Sequence, residues 1–351
     1  MPLARRVSSL DGLRGVAALW VMAFHFNIFF LPQARLSSVV PFLGRAYLAV
    51  DLFFLLSGFV MAHVYGRLLA SNWRAHWRHF ALARFARLYP LFAITTLVVV
   101  ALVELYHAPV GGVSFSFQSL ALQPIMLQQW CSGLSWDYPS WSISTEAEAY
   151  LFFLFFSGFL LSGKCPRLMA ASSIAVLSTL GIIQGGGINY FVGLPALLRT
   201  LAGFSLGVLI YRFYSLRTGV AGYWVGVVAV LLLGLAAITH IDTIAVCGFA
   251  FIVYGCANAT NVFARFLDTR PLVALGNWSY SVYLWHAPMS FAVTGVLAAA
   301  HHPVSQLDML RARLLLFTTA CAVVIVAAFH YRFVETPIRQ FVRRSTSHLG
   351  P

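Results

Sequence analysis

Charged residues are scarce in this sequence of 351 residues. Asp, Glu, Lys and Arg make up only 9 % of it, and hydrophobic residues make up 60 %. An average soluble domain contains about 25 % charged residues. So few charges cannot cover the surface of a water-soluble chain of this length, which argues against a soluble enzyme, a disordered protein and a nucleic-acid binder. The composition predicts an integral membrane protein.

Cysteine pairs and the common catalytic motifs are missing as well. The five cysteines are isolated and form no CxxC pair, so we expect free thiols and neither a disulfide framework nor a metal site. The sequence contains no Walker motif, dinucleotide-binding glycine fingerprint, HExxH motif or Gly-x-Ser-x-Gly elbow. An NTP-driven pump and a serine hydrolase are therefore unsupported.

Apolar stretches of about 20 residues follow one another along nearly the whole chain. They predict an all-α integral membrane protein with about ten transmembrane helices in a single domain over residues 1–351. The helical core is expected at about 10–339, followed by a short tail at 340–351. The predicted spans are residues 11–31, 46–66, 88–106, 141–161, 168–184, 194–212, 220–239, 242–260, 272–298 and 312–333.

The basic residues predict the orientation of these spans. With a cytoplasmic N-terminus, 18 of the 23 Lys and Arg residues fall on the cytoplasmic side and five on the other side. Cytoplasmic loops of membrane proteins carry this excess of basic residues. Both termini are therefore predicted to be cytoplasmic. The composition is compatible with a bacterial inner membrane, which is the expected location.

A few titratable residues lie inside or at the edge of the predicted spans. Such residues are costly in a bilayer, so they are functional candidates, with a structural ion pair as the alternative. Arg14 and His25 are eleven residues apart, about three helical turns, and so share one face at a separation of about 16 Å. A hairpin of the first two spans would place Asp51 at the depth of His25. This arrangement predicts either a carboxylate that prepares His25 as a general base or a pair that only fastens the hairpin.

Two further groups of polar residues are predicted to take part. Arg84 and Arg87 share a face near the cytoplasmic surface, where they would suit a polyphosphate ligand or would simply be topogenic charges beside anionic lipid. Ser142, Glu146 and Tyr150 recur every four residues and form one polar stripe on the fourth span.

Six motifs, in order, resemble the membrane acyltransferase 3 superfamily over nearly the whole chain. They are LDGLRGVAALWVMAFHF (10–26), VDLFFLLSGFV (50–60), RFARLYP (84–90), PSWSISTEAEAYLFFLFF (139–156), LGNWSYSVYLWHAPM (275–289) and HYRFVETPIR (330–339). The family's arginine-x10-histidine motif falls on Arg14 and His25. Its arginine-x2-arginine motif falls on Arg84 and Arg87, and its serine-x3-glutamate-x3-tyrosine motif ends at Tyr150.

The resemblance implies an O-acyltransferase that moves an acyl group, by default acetyl, from cytoplasmic acetyl-CoA to a hydroxyl of a glycan or glycolipid such as O-antigen or exopolysaccharide. The lipid bilayer, acyl-CoA and this acceptor are the expected partners, without nucleic acid or metal. From the family motifs together with the polar residues of the predicted spans, we assign His25, Asp51 and Glu146 to catalysis, Arg14, Arg84 and Arg87 to the donor, and Ser142, Tyr150, Tyr283 and His286 to the substrate.

Other interpretations stay open at this point. Members of the family often carry a soluble SGNH-type domain after the helices, and none follows here, so a second transfer step is expected to need a separate periplasmic partner. A homo-oligomer is equally compatible. Intramembrane His and carboxylate residues also occur in proton-coupled solute transporters, which are the main alternative. A membrane scaffold, with polar residues that only join helices, is the other.

Overall fold

The computed structural model describes residues 6–40, 42–106, 117–131, 135–216, 222–258 and 261–346. Within these ranges the chain is helical almost throughout and contains no strand. The helices are α1 Ser8–His25, α2 Ala49–Tyr106, α3 Phe117–Leu122, α4 Trp141–Ser162, α5 Pro166–Ile183, α6 Gly193–Ser215, α7 Gly222–Thr239, α8 Asp242–Asn258, α9 Val262–Leu267, α10 Arg270–Ala299, α11 Met309–His330 and α12 Thr336–Thr346.

The apolar helices agree with the predicted spans. Among the described residues, seven helical stretches are long and apolar enough to cross a membrane, and the apolar parts of α7 and α8 are shorter. The ten predicted spans fall on α1, on two parts of α2, on α4 to α8, and on α10 and α11. The prediction of an all-α membrane protein is therefore confirmed.

The region between the second and third predicted spans is helical and does not form a loop. Helix α2 continues through it and is broken at Asn72, whose backbone is extended (φ −160°, ψ 86°). The side chain of Asn72 accepts a hydrogen bond from the amide of Ala75 at 3.2 Å and so caps the second half of α2. The Arg84 guanidinium donates to the Tyr65 hydroxyl at 3.1 Å, whereas 19 residues of straight helix would separate them by about 28 Å. The two halves of α2 therefore run antiparallel.

Glycines determine which helices approach each other most closely. A Cβ atom at Gly276 of α10 would lie 1.9 Å from the backbone oxygen of Asp11 in α1, and one at Gly58 of α2 would lie 2.0 Å from the backbone oxygen of Phe204 in α6. Only glycine permits backbones to pack this closely within a membrane. Helix α1 thus pairs with α10, and the first half of α2 pairs with α6.

Two π-helical turns interrupt the regular helices. One, Phe26–Phe30, directly follows His25, and the other, Tyr331–Glu335, joins α11 to α12. Such turns are rare and occur frequently at functional sites. Within the predicted tail, residues 340–346 belong to α12, and residues 347–351 lie outside the described residues.

Candidate active site

Most of the predicted site residues line one cavity of about 100 Å³ in the middle of the helix bundle. Its wall is built from α1, both halves of α2, α4 and α10. We refer to it as the arginine cavity; the predicted residues in its wall are Arg14, Arg84, Arg87, Ser142, Glu146, Tyr150 and Tyr283. Four separate stretches of sequence are therefore brought together as the motifs suggest.

The three arginines of this cavity have different partners. Arg14 forms a short ion pair with Asp11 of the same helix. Arg87 lies 3.6 Å from a carboxylate oxygen of Glu335. Arg84 contacts tyrosines instead: its guanidinium carbon lies 5.0 Å from the Tyr65 ring centre.

Arg84 is thus a cation without a direct anionic partner. Among the described residues no carboxylate lies within 4.0 Å of its guanidinium nitrogens, and its Nε atom is buried without a hydrogen bond. A buried charge is costly unless an opposite charge compensates it. The cavity therefore contains a positive charge that none of the described residues neutralises by direct contact.

The predicted polar stripe of α4 faces this cavity. A carboxylate oxygen of Glu146 accepts hydrogen bonds from the Ser57 hydroxyl at 2.7 Å and from the Tyr150 hydroxyl at 2.5 Å. At the other end of the stripe, the hydroxyls of Ser142 and Tyr283 lie 2.7 Å apart. The sequence reasoning missed Ser57, although it lies within the quoted 50–60 motif.

His25 lies next to a second histidine at the Tyr283 end of the cavity. The Nδ1 atom of His25 is 2.9 Å from Nε2 of His286, and the two rings are stacked with their centres 5.0 Å apart. The ring centres of Tyr283 and His286 lie 6.0 Å apart, and this contact connects the histidine pair to the cavity wall. Tyr138 packs against both histidines, with its ring centre 5.1 Å from that of His25 and 5.6 Å from that of His286. Sequence reasoning did not identify Tyr138, which precedes α4 in the chain.

The predicted pairing of Asp51 with His25 is not present. Asp51 is buried and makes two hydrogen bonds with Arg199, at 2.8 Å and 2.6 Å. The reason is the helix pairing: Asp51 belongs to the part of α2 that packs on α6, whereas His25 lies against α10. Arg199 falls inside the predicted span 194–212. Because an arginine within a membrane span requires an acidic partner, its presence in the sequence could have indicated the pair with Asp51.

This ion pair yields a test of whether Asp51 is structural. We expect Asp51→Asn to leave the Arg199 charge uncompensated and to destabilise the protein by about 3–5 kcal/mol. Replacing both residues, as in Asp51→Asn with Arg199→Leu, should recover much of the lost stability, measured by thermal unfolding in detergent. A stable, folded Asp51→Asn protein that lacks activity would instead support a catalytic role.

A second buried acid, Asp137, adjoins the histidine pair through its neighbour Tyr138. The Asp137 side chain is fully buried, and neither carboxyl oxygen makes a hydrogen bond of ordinary geometry. Burial raises the pKa of this carboxyl to about 8, opposed in part by the Thr95 hydroxyl. At neutral pH the group is therefore mostly protonated and able to donate a hydrogen bond.

The helices that carry these site residues match the sequence pattern of a protein family. A family model described as an acyltransferase domain matches residues 7–331. The chain belongs to the membrane acyltransferase 3 family. As a member of that family with several helices able to cross a bilayer, it is an integral, multi-pass membrane protein.

Curated relatives of this acyltransferase 3 protein include the O-acetyltransferase OatA of Staphylococcus aureus. It is 24 % identical over 376 residues, covering 96 % of this chain and 58 % of the relative. The peptidoglycan O-acetyltransferase OatA of Listeria monocytogenes is 25 % identical over 370 residues, covering 95 % of this chain and 56 % of the relative. The chain thus spans a little over half the length of these relatives.

A shorter match gives higher identity. Protein 2 in the picA locus of Rhizobium radiobacter is 46 % identical over 92 residues, which cover 26 % of this chain and 43 % of that protein. No solved structure matches this acyltransferase 3 chain. The matched family model extends over all the helices that build the arginine cavity.

Proposed function

We propose that this protein is a membrane-bound O-acetyltransferase that transfers an acetyl group from acetyl-CoA to a hydroxyl of a glycan or glycolipid. One observation carries the proposal: the arginine cavity contains a cation that has no anionic partner among the described residues, and Tyr283 in its wall packs against the histidine pair. This arrangement supports the proposal that polyphosphate binding and proton abstraction take place at neighbouring parts of one site. Transfer of an acyl group from a CoA thioester requires both.

The arginines are proposed to bind the phosphates of the donor. Arg84 supplies the uncompensated charge, and a guanidinium binds phosphate by two parallel hydrogen bonds. In the proposed topology about ten helical crossings leave both termini, and hence Arg14, near the cytoplasm, where acyl-CoA is made. The proposed location is the inner membrane of a bacterium. From there, the pantetheine arm runs along α1 toward His25, about 16 Å from Arg14 by helical rise.

His25 is proposed to act as the general base through Nε2. Only one proton can lie between His25 Nδ1 and His286 Nε2. His286 is proposed to carry its proton on Nδ1, which is buried without a hydrogen bond, and this leaves its Nε2 as the acceptor. His25 then donates from Nδ1, and its Nε2 carries the free lone pair. In this proposal His286 orients the base, the role first assigned to Asp51.

The proposed step is direct transfer. His25 Nε2 accepts the proton of the acceptor hydroxyl while that oxygen forms a bond to the thioester carbonyl carbon. The carbon–sulfur bond then breaks, and the His25 imidazolium gives its proton to the departing CoA thiolate. Glu146 is proposed to hold Ser57 and Tyr150 in position rather than to meet the reacting atoms. A general base contributes about 10²–10⁴-fold, so positioning of the two substrates must supply much of the remaining acceleration.

The acceptor is proposed to approach His25 from the side of Tyr138 and Asp137. An aromatic ring beside a carboxyl that can donate a hydrogen bond suits a sugar hydroxyl. The Listeria relative is a peptidoglycan O-acetyltransferase, which supports peptidoglycan as the first acceptor to test, with O-antigen and exopolysaccharide as the other candidates. We also keep two predictions about partners: a separate periplasmic protein for a second transfer step, and self-association of this protein.

The test uses purified protein in lipid with radiolabelled acetyl-CoA and a set of glycan acceptors. We expect label to move from CoA to a glycan hydroxyl only when the protein is present. CoA binding without transfer to any acceptor would contradict the proposed reaction. Flux of a solute without CoA would favour the transporter instead.

A further inference from the structure

Glu335 lies directly behind one of the cavity arginines, in the π-helical turn that joins α11 to α12. One carboxylate oxygen accepts a short hydrogen bond from the Ser281 hydroxyl of α10. The other lies 3.6 Å from a guanidinium nitrogen of Arg87. The side chain is nearly inaccessible, with 5 % of its surface exposed. Glu335 is therefore the anion that compensates Arg87 when the cavity holds no phosphate.

The contact between Arg87 and Glu335 is loose. The oxygen that faces Arg87 makes no hydrogen bond, although it is buried. Arg87 itself stacks over the Tyr280 ring, 5.4 Å from its centre, and forms part of the cavity wall. A guanidinium held in this way can turn toward the cavity without breaking a well-formed bidentate pair.

We infer that Glu335 is a displaceable counter-ion that competes with the phosphates of the donor and of free CoA for Arg87. Binding of a polyanion draws Arg87 away from Glu335. After transfer, the carboxylate attracts Arg87 again and promotes release of CoA. Glu335 is thus a positioning residue that lowers the affinity for CoA and keeps the product from blocking the site. This inference rests on the proposed binding of donor phosphates by the arginines.

The sign of the effect separates this role from a purely structural one. Glu335→Gln keeps the shape of the side chain and its ability to accept from Ser281, but removes the negative charge. We expect CoA to bind about 10-fold more tightly to this variant, the size of effect that loss of one nearby, partly buried charge produces. CoA should also become a stronger product inhibitor. A residue that only supports the fold would, when replaced, weaken CoA binding or leave it unchanged.

Glu148→Gln is the matched control. It removes the same charge from α4, where Glu148 accepts from Trp130 at 2.7 Å and is not part of the arginine cavity. CoA affinity is measured by calorimetry in detergent, with thermal unfolding of each variant alongside. Tighter binding in Glu335→Gln but not in Glu148→Gln supports the inference, and equal or weaker binding in Glu335→Gln overturns it.

Two further measurements cover the remaining outcomes. In an Arg87→Gln background the effect of Glu335→Gln should largely vanish, since the competition acts through Arg87; an undiminished effect overturns the inference. If Glu335→Gln does not fold, Glu335→Asp is measured instead. It keeps the negative charge but moves it away from Arg87, so CoA should bind more tightly than to the wild type, by a smaller factor than expected for Glu335→Gln. Unchanged or weaker CoA binding again overturns the inference. A folded wild-type protein that binds no CoA overturns the proposed function itself. This outcome is distinguished from failure of the inference about Glu335, because it is observed in the wild type without any variant.

Discussion

Replacement of His25 by Ala or Gln is expected to lower the kcat of acetyl transfer by about 10³-fold, as for other enzymes that lose a general base. CoA affinity should stay nearly unchanged, because the donor phosphates are proposed to bind about 16 Å away along α1. The measurement combines transfer of radiolabel with calorimetric binding of CoA. The effect would therefore appear in turnover and not in donor binding.

His302→Ala serves as the control for this prediction. His302 is exposed in the segment after α10 and lies outside the cavity and the histidine pair, so its replacement should leave both quantities unchanged. His286→Gln should lower kcat less than His25→Ala, since it removes the orienting partner but not the base. A kcat close to the wild-type value in His25→Ala would contradict the proposed base, and a large loss of CoA affinity would place His25 in the donor site.

Replacement of Arg84 by Gln is expected to weaken CoA binding by about 10- to 100-fold, the range for loss of a charge-assisted contact of about 1.5–3 kcal/mol. Arg84 has no anionic partner among the described residues, so its charge is available to the ligand. Arg84→Lys should recover only part of the affinity, because an ammonium cannot form the two parallel hydrogen bonds of a guanidinium. Calorimetry and the KM for acetyl-CoA both report the change.

Arg78→Gln is the matched control for this second prediction. Arg78 is an exposed arginine on the same half of α2, so its loss changes the net charge equally without touching the cavity. We expect CoA affinity to be unaffected. If both variants lost affinity to the same extent, the contribution of Arg84 would be general electrostatic attraction to the surface rather than a specific phosphate contact.

Local patterns in the sequence predicted much of the site. The spacing of Arg14 and His25 requires only that α1 be a regular helix, and α1 is helical over Ser8–His25. The stripe that includes Glu146 follows in the same way from the periodicity of α4. These predictions depend on relations within one helix, and helical geometry is set by the backbone alone.

The prediction for Asp51 was wrong about its partner because that partner depends on which helices pack together. A hairpin between the first two spans was the simplest topology, yet α1 packs on α10 and α2 packs on α6. Close approach at Gly58 and Gly276 produces these pairs. Neighbours of this kind lie far apart in the sequence, and no pattern within a span indicates them.

The sequence by itself determined that this is an all-α membrane protein, where its apolar helices lie and which faces of α1 and α4 are polar. Those properties follow from hydrophobicity and from helical periodicity, which act over one span. The tertiary structure alone decided that His25 contacts His286, that Asp51 contacts Arg199 and that Glu335 lies behind Arg87. Each of these contacts joins residues from different helices, and the packing of the whole bundle sets their distance.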